Sequence, residues 1–493
     1  GDEDRAAYRA VALRALTEAD PGEPEVPRQW PRYAALLPHL GPSGATRGTD
    51  TRARGLVLNC LRYCASSGAF RDGAELAARV RQEWATAMAQ DARPMLDLTV
   101  VQGDLLRALG RFREAYDLDT GALRRKGSAR ADPLARLTLE SRHLTDLRLQ
   151  GRYARAHAEQ SELVSETLRT LRPEHPFAME ARHGLGSGLR LLGHYEEAYR
   201  NDMETLHTRQ ETLGARHPAT LESAHACARD QLLMGFPHEA EERQKIALQL
   251  HESALGPEHP MTLSARHTLL RCRRHSGADG GPRGLGPQLA PLVAEHQGRY
   301  GPHAAATLAV MTDYGNHLRE RGELTLARDL VKEAGDGYRE LLGQAHPVVT
   351  AMLTNQGLVR RDLGDEAGAL NLFEQALAGL RTPLGDDHPW TLGCALNAAG
   401  GRDRTGRPTE AYELTRDTLR RAQTTLGDDH PLTLSCGIAL AADLRALREP
   451  EEAARAEEDT LRRMSRSLGA QHPDTLAARQ RERPYWNFEP FLW

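Results

Sequence analysis

A His-Pro pair returns along this chain at a fixed interval. It begins at His175, His217, His259, His346, His388, His430 and His472, in steps of 42 residues except for one of 87, which is two periods plus three. The copy missing from the long step falls at Gly301-Pro302-His303, a degenerate version of the pair. So strict a period admits few folds, because each unit must repeat one local structure and bury itself against the next. A second ladder runs out of phase with the first. It is a turn anchored on Gly68, Gly110, Gly151, Gly193, Gly235, Gly277, Gly322, Gly364, Gly406 and Arg448. Five residues after the anchor stands alanine in eight of these ten copies: Ala115, Ala156, Ala198, Ala240, Ala327, Ala369, Ala411 and Ala453.

Two punctuation marks per period mean two elements per period. After His-Pro the apolar spacing is helical: Leu434, Ile438 and Ala441 share one stripe, and Leu440, Leu444 and Leu447 another. Two stripes suit a helix packed on two sides, as inside a stack. Proline fits a first helical turn, where its missing N–H has no partner to lose. It also pushes the preceding residue towards the extended dihedrals of an N-cap. The histidines are therefore read as helix starts. Metal ligation would need them to converge, whereas an array in which each repeat touches only its neighbours spreads them about one repeat apart. The recurring alanine marks where the two helices of a unit press together; a larger side chain there would overpack by roughly 1–3 kcal/mol.

Composition agrees with a long helical array: aromatic residues are 5% and charged residues 27% of the 493, and Ala, Leu and Arg dominate. Only three lysines occur (Lys126, Lys245 and Lys332), a bias towards Arg that reads as a high-GC genome. With a net charge of −4, no general affinity for nucleic acid is expected. Cys394 and Cys436 are one period apart, and Cys60 and Cys64 share a helix face without a second Cys or His pair at zinc-site spacing. The six cysteines are read as buried thiols in a reducing, cytoplasmic setting. No apolar run approaches membrane-spanning length and no signal peptide opens the chain. It begins on Gly1 rather than Met, and is read as a fragment whose chemistry could lie upstream.

Catalytic signatures are missing. There is no GxSxG, no HExxH and no paired zinc motif. The stretch GALRRKGS, Gly121–Ser128, holds Lys-Gly-Ser in the wrong order for a P-loop. Asp386, Asp387, Asp428 and Asp429 precede helix starts, where the dipole favours acids. The expectation is a protein without enzymatic activity, cofactor or metal.

The unit LGxxHPxTLxxxxxLAxxLxxLGxxxEA resembles the 42-residue tetratricopeptide repeat of the kinesin-light-chain type, over about residues 52–478. The resemblance implies an all-α, right-handed superhelical solenoid of about ten helix-turn-helix repeats, whose first helices line a concave groove for peptides or proteins. The organisation expected is a helical N-terminal cap or linker over 1–50, the array over 51–477 and an aromatic C-terminal tail over 478–493. PRQWPRYAALLPHLGPSG, Pro27–Gly44, resembles the junction before the repeats of bacterial NB-ARC/tetratricopeptide proteins of the STAND class, which carry an ATP-driven switch upstream. The tail NFEPFLW is similar to the ending of such proteins, including those beside FxSxx-COOH peptide-maturation operons. It departs from their EPP-type ending by closing on Phe-Leu-Trp.

In that family's arrangement the groove takes every third or fourth residue of the first helix. Counting from fourteen residues before the anchor, the fifth position is His183, His225 and His267, and the ninth is Ser187, Arg229, Arg271 and Asn316. The twelfth is Arg in seven of the ten repeats: Arg107, Arg148, Arg190, Arg274, Arg319, Arg361 and Arg445. A row of Arg would clamp carboxylates or phosphates, and the flanking histidines would add positive charge as pH falls towards 6. The ligand expected is an acidic peptide or protein surface. The other reading is that the arginines pair with Glu or Asp of the next repeat.

Two irregularities stand out. His275–Pro287 carries the three extra residues and five glycines, with Pro282 in place of the usual alanine, and reads as a loop insertion or a hinge between two half-arrays. The tail gathers Tyr485, Trp486, Phe488, Phe491 and Trp493. Such a patch is expected to leave water, by covering the exposed end of the last helix or by docking on a partner or another subunit. The function expected is recognition: the ligand-sensing region of a STAND-type signalling protein, or a free-standing adaptor in peptide maturation of the RiPP, FxSxx type.

Overall fold

A computed structural model describes residues 2–125, 132–278 and 284–491. Among the described residues all regular structure is helical and no strand occurs. The first helices of repeats 1 to 10 are Thr51–Ser67, Arg93–Ala108, Pro133–Leu149, Pro176–Leu191, Pro218–Leu233, Pro260–Ser276, Ala305–Glu320, Pro347–Asp362, Pro389–Arg404 and Pro431–Ala446, each followed by an antiparallel second helix. The chain is the all-α repeat solenoid that its period implies.

The His-Pro pairs start helices by a specific device. At all seven the histidine is extended, with φ between −61° and −73°. Its Nδ1 accepts the N–H of the residue two places on, at 3.1–3.2 Å. The imidazole thus does the work of a Ser or Asp N-cap. Nine of the ten turn anchors are glycines with φ of 72–90°, and the tenth, Arg448, is forced to 65°. All eight of the recurring alanines are buried at the helix–helix contact.

One expectation needs correction: repeats do not touch only their neighbours. Because Nδ1 accepts, the neutral imidazole carries its proton on Nε2. That Nε2 donates to the end of a first helix five repeats earlier: His259 to the Ser66 carbonyl at 2.8 Å, His388 to Leu191 at 3.1 Å, His430 to Leu233 at 3.0 Å and His472 to His275 at 3.0 Å. Pro347, Pro389, Pro431 and Pro473 meanwhile sit on the turn glycines Gly151, Gly193, Gly235 and Gly277. The superhelix closes on itself about every five repeats: His259, His388, His430 and His472 are both cap and clasp, while at His346 the clasp is the packing of Pro347 on Gly151, with no hydrogen bond to Nε2 among the described residues. These clasps tie repeats 3 to 8, 4 to 9 and 5 to 10, so the two half-arrays are not free to swing about His275–Pro287. Part of that insertion, including Pro282, lies outside the described residues.

The ends are closed by different means. At the N-terminal side, Tyr33, Leu40 and Ala45 join Leu56, Leu61 and Trp84 in one cluster, and the Trp84 indole donates to the Thr46 carbonyl at 2.9 Å. At the other side the short helix Pro473–Arg479 brings Ala478 onto Leu434, Ile438, Met464 and Leu468. The aromatic tail, expected to cover this end, goes elsewhere. The six cysteines are unpaired and buried. Among the described residues no helix is long and apolar enough to cross a membrane.

Candidate functional site

The first helices form the inner face of the superhelix, and the twelfth-position arginines lie along it already engaged. Arg107 Nε donates to Asp146 of the next repeat at 2.8 Å, and its Nη2 bonds Asp119 of its own second helix. Arg190 repeats the arrangement with Asp230 and Asp202, both at 2.6 Å. Two buried carboxylates share that one guanidinium, and burial pushes Asp202 up to about 7 against the attraction of Arg190. Arg445 pairs with Glu457 at 3.0 Å, Arg319 with Asp362 at 2.7 Å and Arg361 with Asp362 at 2.7 Å. Arg148 donates to Gln160 and to the Gly184 carbonyl, each at 3.3 Å. Pairing with an acid of the next repeat describes Arg107, Arg190 and Arg319; Arg361 and Arg445 pair with acids of their own repeat, Arg148 bonds no acid among the described residues, and Arg319 and Arg361 also meet the tail.

The histidine column also departs from expectation. His183 lies 3.6 Å from Glu222, His225 bonds Thr268 at 2.8 Å and His267 bonds Asp313 at 2.7 Å. Burial brings His183 down to about 4 and His225 well below its ordinary value, and it lowers His267 too. All three rings are thus harder to charge than an ordinary imidazole as pH falls, because burial costs the protonated form more than the nearby carboxylates return.

What the inner face holds is the chain's own tail. From Arg483 onward it runs without helix or strand across repeats 10 to 5, opposite to the order of the array. Arg483 bonds Asp443 at 2.6 Å. Asn397 brackets Trp486: its Nδ2 donates to the Trp486 carbonyl at 2.7 Å and its Oδ1 accepts the Trp486 N–H at 2.9 Å. Asn355 does the same to Phe488, at 2.8 and 2.9 Å, and Asn316 adds a third bond to the Phe488 carbonyl at 3.3 Å. Glu489 is gripped by Arg274 and His275, each at 2.9 Å. Arg271 holds Asp313 with Nε and Nη2 and donates Nη1 to the Pro490 carbonyl at 2.8 Å.

Side-chain packing follows the same register. Phe488 is fully buried, its ring 4.9 Å from that of Trp390. Trp486 fills the space above Gly393, which a Cβ would block. The Tyr485 ring lies 4.3 Å from the Arg319 guanidinium, and that of Phe491 lies between Arg271 and Arg229, at 4.4 and 5.3 Å. Trp493 lies outside the described residues. Among the described residues Arg229 has no carboxylate partner, although it is 8% exposed. Burial and the like charges of Arg190 and Arg271 bring it down to about 9. Against the cost of burial, Arg271 and His267 hold Asp313 well below the usual carboxylate range.

The predicted ninth-position residues Arg229, Arg271 and Asn316 and the twelfth-position Arg274, Arg319 and Arg361 thus meet the tail, with Trp486, Phe488 and Phe491 on the other side of the contact. Sequence reasoning missed Asn355 and Asn397, which occupy the sixth position. Their signal was present: two asparagines 42 residues apart in mid-helix, where that residue is a poor choice unless its amide has work to do.

Two family models described as tetratricopeptide repeat match the chain, one over residues 304–382 and one over 179–219 and 433–474. The chain therefore contains tetratricopeptide repeats. A search of curated proteins found no match. Among solved structures it is similar to a putative kinesin light chain with nearly identical TPR-like repeats from Podosopora anserina, at 21% identity, covering 51% of this chain and 97% of that one with a TM-score of 0.26. A Rap protein complexed with competence and sporulation factor matches at 11% identity over 82% of this chain and 100% of that one, with a TM-score of 0.53. The apo quorum sensor NprR from B. thuringiensis matches at 10% identity over 83% and 97%, with a TM-score of 0.41. At such identities the likeness is one of fold.

Proposed function

We propose that this chain is a recognition scaffold whose inner face takes an extended segment of a partner protein or peptide, and that it serves as the ligand-sensing region of a STAND-type signalling protein. The observation that carries the binding reading is the pairing of Asn355 and Asn397 with both backbone groups of Phe488 and Trp486. Side-chain amides that satisfy an extended backbone, with pockets for alternate side chains, are a general means of peptide recognition. An acidic ligand is supported by the grip of Arg274 and His275 on Glu489. The STAND role rests on the resemblance of Pro27–Gly44, and the cytoplasmic setting on the six unpaired thiols. The proposal is of binding without turnover.

The test is capture from host extract by the chain, compared with the Asn355→Ala/Asn397→Ala variant shown to be folded by circular dichroism. A protein retained by the first and reduced at least tenfold with the second is expected. Equal capture by both, or hydrolytic turnover by the purified chain, would refute the reading.

A further inference from the structure

The tail is bound like a ligand rather than built in like an element. From Arg483 to Phe491 no backbone group pairs with another backbone group among the described residues. Its main chain is held by side chains of the array: Asn397, Asn355, Asn316 and Arg271. Such contacts would serve any extended segment of suitable side chains. Three side chains of the tail also have receptors of their own. Phe488 enters an apolar pocket beside Trp390, Trp486 lies over Gly393, and Glu489 meets Arg274 and His275.

One demand is left unmet by this occupant. Arg229 is buried with a ring face over it and no carboxylate bonded to it among the described residues, Asp230 and Asp202 acting on it only from beyond pairing distance. A buried guanidinium is far better compensated by a carboxylate than by an aromatic face. A segment identical in register, with an acid where the tail has Phe491, would give up that ring's contacts with Arg271 and with Leu232, Ala240 and Cys272, keep those of residues 485–490, and offer Arg229 a carboxylate.

We infer that repeats 5 to 9 form a recognition site for a partner segment of the pattern aromatic-x-aromatic-acid-Pro-acid, and that Tyr485–Phe491 is a weaker, exchangeable resident holding the site closed until such a segment arrives. The inference rests on the scaffold reading above and names its ligand and its regulation. Tethering makes even a weak resident effective. A flexibly linked segment sees its site at roughly millimolar effective concentration, so a resident of about 10 μM intrinsic affinity weakens a competitor on the order of 100-fold.

The test uses the whole chain with fluorescein-labelled synthetic peptides: one with the sequence of residues 483–491, one with glutamate in place of its last phenylalanine. Glu489→Arg sets one like charge against Arg274 and His275 and should release the tail. Phe488→Asp does so by a second route. Both variants, checked for unchanged helical circular dichroism, are expected to bind the peptides on the order of 100-fold more tightly than the unmodified chain. The glutamate peptide should bind at least fivefold more tightly than the other. Adding Asn355→Ala to the released variant should abolish uptake. Folded released variants that bind no better than the unmodified chain would overturn the exchange, as would loss of fold in both, which would make the tail part of the core. A glutamate peptide no tighter than the tail sequence would overturn the role given to Arg229. Should exchange fail while capture from extract still depends on Asn355 and Asn397, the scaffold reading survives; should both fail, both fall.

Discussion

Replacing Gly235 with alanine should open the superhelix, and replacing Gly406 should not. Both glycines anchor the turn between two helices, and their backbones are nearly the same, with φ of 84° and 79°. An L side chain in that region costs roughly 1–2 kcal/mol, a penalty the two variants share. They differ in what the new Cβ meets. At Gly406 nothing lies within 4 Å, whereas at Gly235 it would stand 2.5 Å from the Cδ of Pro431, five repeats later. Carbon atoms rest about 3.5–4.0 Å apart, and a ring-locked Cδ cannot rotate away. Either the contact is overpacked at about 1–3 kcal/mol, or the turns part and His430 loses its bond to the Leu233 carbonyl, a net loss of about 1 kcal/mol. Gly235→Ala should therefore cost roughly 1–3 kcal/mol more than Gly406→Ala. Small-angle scattering should show a longer particle for Gly235→Ala, with faster hydrogen exchange at Leu432–Leu434. Identical scattering and exchange for the two variants would refute the clasp.

Three further outcomes follow from the same geometry. Arg448→Gly relieves a left-handed backbone at the one anchor that is not glycine and should stabilise repeat 10 by about 1 kcal/mol, read as slower exchange over residues 444–453; faster exchange would contradict it. Arg190→Ala strands Asp202 and Asp230 and should destabilise the array by about 3–5 kcal/mol, contrary to the expectation for an arginine held ready for ligand; a melting temperature within a degree of the unmodified chain would show the triad to be dispensable. Burial holds His259, His346, His388 and His430 at about 4, below the ordinary 6.5. An unfolded chain thus binds more protons than the folded one between those values, so stability present above pH 6.5 is lost as pH falls through 4, by up to about 3 kcal/mol per site. Acid titration by circular dichroism should show this loss, and His388→Asn, which caps without titrating, should reduce it; a flat profile from pH 7 to 4 would sink the cap assignment.

The helices, their starts and their turns were legible because each is set by chemistry within a few residues. Proline fixes its own φ and restricts its neighbour, so His-Pro announces a helix start. Glycine at a fixed offset announces a left-handed turn, clearly enough to identify Arg448 as an occupant of the same slot. The clasp was not legible. Its partners are 193 or 197 residues apart, and their meeting depends on the superhelical pitch, a small rotation between repeats summed five times. No single repeat carries that angle in its sequence, although the neutral Nε2–H of a capping histidine leaves a donor free to bond elsewhere.

The inner face was half legible for a related reason. A column of arginines can be read from spacing, but their charge balance cannot, because the balancing acids sit at two other offsets. Asp119 and Asp202 lie nine residues after an anchor and Asp146 and Asp230 five before one. Where both acids are present, as around Arg107 and Arg190, the guanidinium is consumed by the array. In repeats 6 to 9 those two offsets hold Val331, Phe373 and Thr415 or other residues that are not acids, and the arginines there pair instead with Asp313, Glu320 and Asp362, with groups of the tail added: Glu489 joins Glu320 on Arg274, and tail carbonyls meet Arg271, Asn316, Asn355 and Asn397. Contact with the tail is thus concentrated in the repeats that lack an acid nine residues after the anchor, where each arginine keeps one acid of the array and has donors or a face left for the tail. Among the described residues Arg229 has no acid close enough to pair, and the preference inferred above for a segment more acidic than the tail rests on that position.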